Sequence, residues 1–212
     1  MPMVTDKAQV WAFSEEFVLE SPDVAKSRAI ALELGIDPVT VGTGALLRAI
    51  AGMRQAKAAV EIGTGTGVSG LWILAGMAPD GVLTSIDVEA EFQQVAAESF
   101  RAAHIASHRT RLINGRALEV LPRLAASAYD MVVVDAAPEE TAAYVRHAER
   151  ILRTGGALVV PNALWFGNVA DPARRDPHTV MMREVCRELE ESESFDLALV
   201  PTGEGVAVAV RR

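Results

Sequence analysis

Glu61, Gly63, Gly65, Gly67 and Asp87 stand in one stretch, AAVEIGTGTGVSGLWILAGMAPDGVLTSID, over residues 58–87. Ala58 to Ile62 is a short apolar run suited to a buried strand, and the glycines after it let the backbone turn with positive φ and lie close to a ligand. Val68 to Met77 continues as a helix whose free N–H groups face that ligand. Val82 to Ile86 is a second apolar run, and Asp87 at its end can accept hydrogen bonds from ribose hydroxyls. Together these residues predict half of a nucleotide site, for an adenosine-containing molecule.

Glycine spacing leaves the ligand open. GxGxG at 63, 65 and 67 overlaps GxGxxG at 65, 67 and 70, so the turn alone does not separate a methyltransferase from a nicotinamide dehydrogenase. Glu61 is more informative, because a carboxylate just ahead of the first glycine opposes a pyrophosphate electrostatically. It suits S-adenosylmethionine, which carries a sulfonium cation and an α-ammonium group and no phosphate. The competing role for Glu61 is a helix cap or a solvated acid.

The elements that must position these residues alternate along the chain. Phe92 to Ala103 recur at helical spacing, Thr110 to Ile113 form a short strand, and Arg116 to Ala126 another helix. Tyr129 to Val134 is the strongest strand pattern and stops at Asp135. A helix through Tyr144, Ala148, Ile151 and Leu152 follows, with Gly155 and Gly156 in C-cap position, before the strand Ala157 to Val160. The series predicts an α/β fold: a doubly wound, mostly parallel seven-stranded sheet with helices on both faces. Phe195 to Val200 and Val206 to Val210, separated by PTGEG, predict a closing antiparallel hairpin. Three helical stretches near 5–20, 22–34 and 40–54 precede the first strand. They are expected to cover the site or a partner subunit, as a cap of residues 1–56 on a core of 57–212. Val169 to Pro177 reads as a loop.

Composition excludes several classes. With 212 residues, 50% of them hydrophobic, the length favours a single domain over 1–212. A formal charge of -8 argues against nucleic-acid binding, which needs a basic surface. The lone Cys186 rules out an intramolecular disulfide and reads as a small buried thiol. No apolar run approaches the about 20 residues that span a bilayer, and acids stand where a signal peptide needs an apolar core. A cytoplasmic protein without membrane partners is expected.

Six blocks, EIGTGTGVSGLWIL, LTSIDVE, RLINGRALEVLPRL, YDMVVVDA, ILRTGGALVVPNALWFGNVADP and VPTGEGVAVAV, fall in an order that resembles the catechol O-methyltransferase-like family of class I S-adenosylmethionine-dependent methyltransferases, and closely its actinobacterial members. The resemblance covers about residues 35 to 210. It implies a Rossmann-like fold, S-adenosyl-L-methionine as cofactor, methyl transfer to a hydroxyl of a small, aromatic acceptor, and a homodimer. By position it implies that Glu61, Gly63, Thr64, Gly65 and Ser69 line the methionine end of the cofactor, with Val39 closing over it from the preceding helix. Asp87 would hold the ribose, Val88 would pack beside the adenine, and Ala117 would approach the adenine edge. Asp135 would border both cofactor and acceptor and act in catalysis. Plain core roles for Val39 and Ala117, and a local hydrogen bond for Ser69, compete with these.

At the catalytic end the sequence departs from the family pattern. Relatives hold a divalent cation, usually magnesium, on the Asp after the fourth strand and an Asp-Asn pair after the fifth, with a lysine three residues beyond the first Asp. Asp135 and Asn162 are present here, but Pro161 stands in place of the other acid, Pro138 in place of the lysine, and Ala137 in place of a further acid. Proline offers a metal no donor atom. The enzyme is therefore expected to use magnesium weakly or not at all. Asp135 itself, Glu139, Glu140 and His178 are the candidate bases. Trp165 and Phe166 are expected to wall the acceptor site, with Trp11 and Phe13 contributing from the same molecule or across a dimer. A cofactor-binding relative without turnover, serving as sensor or interaction protein, and a dehydrogenase are the competing classes.

Overall fold

The computed structural model describes residues 6–212. Thr5, the first residue of the expected 5–20 helix, lies outside that range. Three helices come first: α1 (Lys7–Glu16), α2 (Pro22–Glu33) and α3 (Val41–Met53). Each starts where a short polar side chain takes up an otherwise unpaired first-turn amide. Asp6 accepts from Ala8 N, Ser21 from Val24 N ahead of Pro22, and Thr40 from Thr43 N. Val39, expected within a helix, lies in the extended segment before α3.

The core then alternates as β1 (Ala58–Ile62), α4 (Val68–Gly76), β2 (Val82–Asp87), α5 (Ala90–Ala102), β3 (Thr110–Asn114), the single turn α6 (Ala117–Val120), β4 (Tyr129–Val134), α7 (Thr141–Ile151) and β5 (Leu152–Val160). Helix α8 (Pro177–Glu191) and the hairpin strands β6 (Phe195–Val200) and β7 (Val206–Arg211) close the chain. The sheet order is β3-β2-β1-β4-β5-β7-β6. The first five strands are parallel and β7 joins antiparallel to β5. The expected seven-stranded, doubly wound α/β architecture is therefore present.

Strand alternation divides the core in two. Val60, Ile62, Val132, Val134, Leu158 and Val160 face α7 and α8, whereas Ala59, Met131, Val133, Ala157 and Val159 face α3 and α4. Glu61, between Val60 and Ile62, is thereby turned to the α4 side. Asp130, at the start of β4, accepts from the amides of Lys57 (2.8 Å) and Ala58 (3.0 Å) and pairs with Arg153. It thus ties three strands at the edge opposite the cleft.

Two expectations are corrected. Gly155 and Gly156 do not cap α7, which ends at Ile151 with β5 following at once. They lie in a bulge of β5, where pairing jumps from Tyr129–Leu152 to Met131–Ala157. Gly155, at φ +77, supplies the left-handed residue that such a bulge requires. The expected 116–126 helix is only α6 and a 3₁₀ turn at Leu121–Arg123, because Pro122 removes an amide donor.

Candidate active site

β1 has β2 on one side and β4 on the other, and the chain leaves these neighbours in opposite directions across the sheet. Such a switch point opens a crevice at the carboxyl ends of the strands. Two adjoining cavities occupy it, of about 310 and 400 Å³, sharing Gly63, Asp87, Val88, Ala136 and Ala137. The larger is bordered by Val39, Thr64, Gly65, Ser69 and Asp135, the smaller by Ala117, Arg116 and Tyr144. The tertiary structure therefore brings Val39, Gly63, Thr64, Gly65, Ser69, Asp87, Val88, Ala117 and Asp135 to one cleft.

The glycine turn is shaped by close backbone approach. Gly63 sits at φ +93, and a Cβ there would collide with the carbonyl oxygen of Asp135. Asp87 holds the turn: its Oδ2 accepts from the amides of Thr64 (2.8 Å) and Gly65 (3.0 Å), and its Oδ1 from Glu89 N (2.9 Å). Gly67, also left-handed at φ +91, opens α4 without a side-chain cap. The first-turn amides of α4 are thus directed at the cleft.

Glu61 does not reach the cavity wall. It is fully buried behind it, with Oε2 accepting a 2.6 Å hydrogen bond from Ser85 and Oε1 without a partner. Burial above all pushes its carboxyl up to about 7; Asp135 and Asp87 add to the rise, while the nearby Ser69 hydroxyl and the Ser85 hydrogen bond oppose it. A buried carboxylate oxygen left unpaired costs free energy, and a cation on the other side of the wall would offset part of that cost through its field. This burial excludes a solvated acid, and α4 starts with no side-chain cap, which excludes Glu61 as its cap.

Asp135, at the end of β4, is also raised to about 7, by burial first and by Asp37 second. Asn162 Nδ2 lies 3.4 Å from its Oδ1. Pro161 is buried beside them and has no donor atom. Trp165 and Phe166 contribute to neither cavity wall. Trp165 packs against the α7–α8 core, edge-on to His178 and Phe166, each with ring centroids 5.4 Å apart. Asn162, Trp165 and Phe166 all have positive φ, a strained loop of the kind that clusters at functional sites. His178 Nε2 meets Glu139 Oε1 at 2.9 Å, while Glu140 joins Arg116 and Tyr144. Trp11 and Phe13 on α1 are exposed, 43% and 66%.

Three participants escaped the sequence reading. Ser85 lies opposite Glu61 in the β1–β2 register, a signal available once that pairing is drawn. Gln93, buried on α5, donates to Ile113 O (2.9 Å) beneath the turn. Asp37 lines the larger cavity from the segment before α3; no motif marks it.

Among the described residues no helix is long and apolar enough to cross a membrane. Comparison with known proteins agrees with the geometry. A relative from Mycobacteroides abscessus, classed by name with the O-methyltransferases, is 48% identical over 93% of this chain and 92% of its own. A Mycobacterium tuberculosis protein, likewise classed, is 46% identical over 95% of this chain and 90% of its own. Among solved structures, a Corynebacterium glutamicum protein superposes with a TM-score of 0.89 at 33% identity, covering 96% of each chain. The O-methyltransferase TomG of Streptomyces achromogenes, involved in tomaymycin synthesis and solved with SAM, does so with 0.85 at 29% identity, covering 98% of this chain and 99% of that one. The model of the O-methyltransferase family matches residues 20–212, and with the glycine turn, the acids at the ends of β1, β2 and β4, and the closing hairpin in their places, this chain belongs to that family.

Proposed function

We propose that the protein transfers a methyl group from S-adenosyl-L-methionine to a hydroxyl of a small, aromatic acceptor. The observation that carries this reading is Glu61, fully buried, with one carboxylate oxygen unpaired beside the glycine turn. A dinucleotide's pyrophosphate would be repelled by a carboxylate behind the wall, whereas the ammonium and sulfonium of S-adenosylmethionine would be attracted by it. When bound, the cofactor offers a methyl group on a positively charged sulfur. In this reading Ser69, Thr64 and Val39 enclose its methionine end, Asp87 holds the ribose on the lone pairs left by the turn amides, and Val88 and Ala117 border the adenine.

Asp135 is the group placed to take the acceptor's proton. A carboxyl raised to about 7 is poised between its two forms near neutral pH, as a general base should be. Orientation supplies much of the remaining acceleration. The donor set does not fit a magnesium site, since Asp135 would be the single charged ligand and Pro161 contributes nothing; no step is assigned to a metal. The N-terminal helices would cap the 57–212 core as one unit. The exposed Val10, Trp11, Phe13 and Phe17 on and beside α1 favour a homodimer through that cap.

Calorimetric titration with S-adenosylhomocysteine and with NAD tests the reading. The homocysteine compound should bind, and Glu61→Gln should weaken it tenfold or more by removing the negative charge behind the cavity wall. NAD binding without it would overturn the assignment. Pro138 and Pro161 favour one competing reading, a cofactor-binding protein without turnover. Methylation of any member of a panel of phenols and catechols, assayed with and without divalent ions, would reject it.

A further inference from the structure

A turn with glycine at 63, 65 and 67 gains its shape from backbone freedom, and that freedom must be removed again before the turn can hold a ligand in one place. Its near half is held by Asp87, through the amides of Thr64 and Gly65. Its far end is packed under Phe100, which a Cβ on Gly67 would meet at 3.0 Å. Between the left-handed Gly65 (φ +50) and Gly67 (φ +91) stands Thr66, the one residue of that half with a side chain.

Thr66 is tied to a remote element. Ser27, in the middle of α2, donates from Oγ to the Thr66 carbonyl (2.8 Å), and Thr66 donates from Oγ1 to the Ser27 carbonyl (3.0 Å). Ser27 is 1% exposed and Thr66 2%, so water offers no replacement for either bond and losing one leaves a buried group unpaired. The same helix leads, through Gly35 in the left-handed region, into Ile36, Asp37, Pro38 and Val39, which border the cavity of about 400 Å³ opposite the turn. Thr66 borders that cavity as well. The crossed pair therefore sets two walls of one cavity in register.

We propose that Ser27 is a positioning residue for the cofactor, which fixes the far half of the glycine turn against α2 so that the N-terminal cap both supplies one wall of the cofactor site and holds the other. Cofactor binding and the order of α2 are then coupled, and the coupling is reciprocal. The inference rests on the methyltransferase reading.

Calorimetric titration of S-adenosylhomocysteine into the full chain and its variants, each first shown to be folded by thermal melting, tests it. Ser27→Ala should bind about tenfold more weakly than the wild type, the size of one lost buried hydrogen bond. Thr66→Val keeps the shape, loses the hydroxyl and should lose as much, whereas Thr66→Ser keeps the hydroxyl and should stay within about twofold of the wild type. Glu20→Gln breaks the ion pair with Arg28, the neighbour of Ser27, without touching the turn, and should leave binding unchanged. In hydrogen exchange, S-adenosylhomocysteine should slow the amides of residues 22–34 in the wild type. In Ser27→Ala that slowing should be lost, while saturating ligand still protects residues 58–87. Wild-type affinity in Ser27→Ala, equal affinities of Thr66→Val and Thr66→Ser, a loss in Glu20→Gln as large as in Ser27→Ala, or equal slowing of residues 22–34 with and without the Ser27 hydroxyl would overturn the proposal. Should Ser27→Ala fail to fold, the two Thr66 variants decide by themselves. Failure of S-adenosylhomocysteine to bind the wild type would instead remove the underlying reading.

Discussion

Ser85 donates to Oε2 of Glu61, its direct partner in the β1–β2 register, and the other oxygen of that carboxylate stays buried without a partner. The arrangement makes Glu61 a liability to the empty protein and an asset once a cation arrives. Its carboxyl titrates near 4.5 when exposed and near 7 in the fold. Below about 4.5 both states are protonated and there is no penalty. Between these values the unfolded chain ionises first, so stability falls as pH rises. Above about 7 the loss is complete, up to about 3 kcal/mol. Without cofactor, Glu61→Gln should therefore be more stable than the wild type at pH 8 and nearly equal at pH 4, as read by denaturant unfolding. A deficit of the same size at both pH values would contradict the account.

Gly63 is expected to tolerate no side chain. A Cβ would strike the Asp135 carbonyl, which is backbone and cannot swing aside, and φ is +93. Overpacking and left-handed strain each cost on the order of 1–3 kcal/mol. Gly63→Ala should lose roughly 3 kcal/mol in urea unfolding, together with cofactor binding. A loss under about 1 kcal/mol would mean that β1 and β4 separate easily at this end.

Chelation should leave turnover nearly unchanged. With one carboxylate and one amide facing each other, as Asp135 and Asn162 do, a divalent ion gains too little protein charge to be held tightly. Methyl transfer measured in EDTA should stay within about twofold of the rate with magnesium, well short of the several kcal/mol that a metal can contribute. Asp135→Ala should abolish turnover yet spare S-adenosylhomocysteine binding. A large, reversible loss in EDTA would restore the metal to the mechanism.

Glu15 is the polar anchor of α1. Its carboxylate accepts from Thr202 Oγ1 (2.6 Å), Gly203 N (2.7 Å) and Gly42 N (3.0 Å), and thereby joins α1 to α3 and to the turn between β6 and β7. No residue of α1 is buried, so little apolar burial replaces those bonds. Glu15→Ala should expose residues 6–19 to hydrogen exchange and proteolysis while thermal unfolding of the rest moves little. Retained protection of that segment would show that α1 is held by something else.

Much of this protein was legible locally. The run Ala58–Ile62, the glycine turn and the alternation of strand with helix follow from side-chain period and backbone freedom. The glycine turn with Asp87 after the second strand is enough to name an adenosine-containing ligand, and Glu61 ahead of the turn favours S-adenosylmethionine over a dinucleotide. What only the tertiary structure decided is which groups meet. Ser85 reaches Glu61 because two strands align in register, and the Gly155 bulge arises because β5 must realign against β4. Asp37 borders the same cavity as Asp135 from a distant segment, while Trp165 and Phe166, set in a strained loop, stay off the cavity walls. Local pattern fixes the element a residue ends; contact between remote segments follows from packing and register, which no stretch of chain encodes by itself.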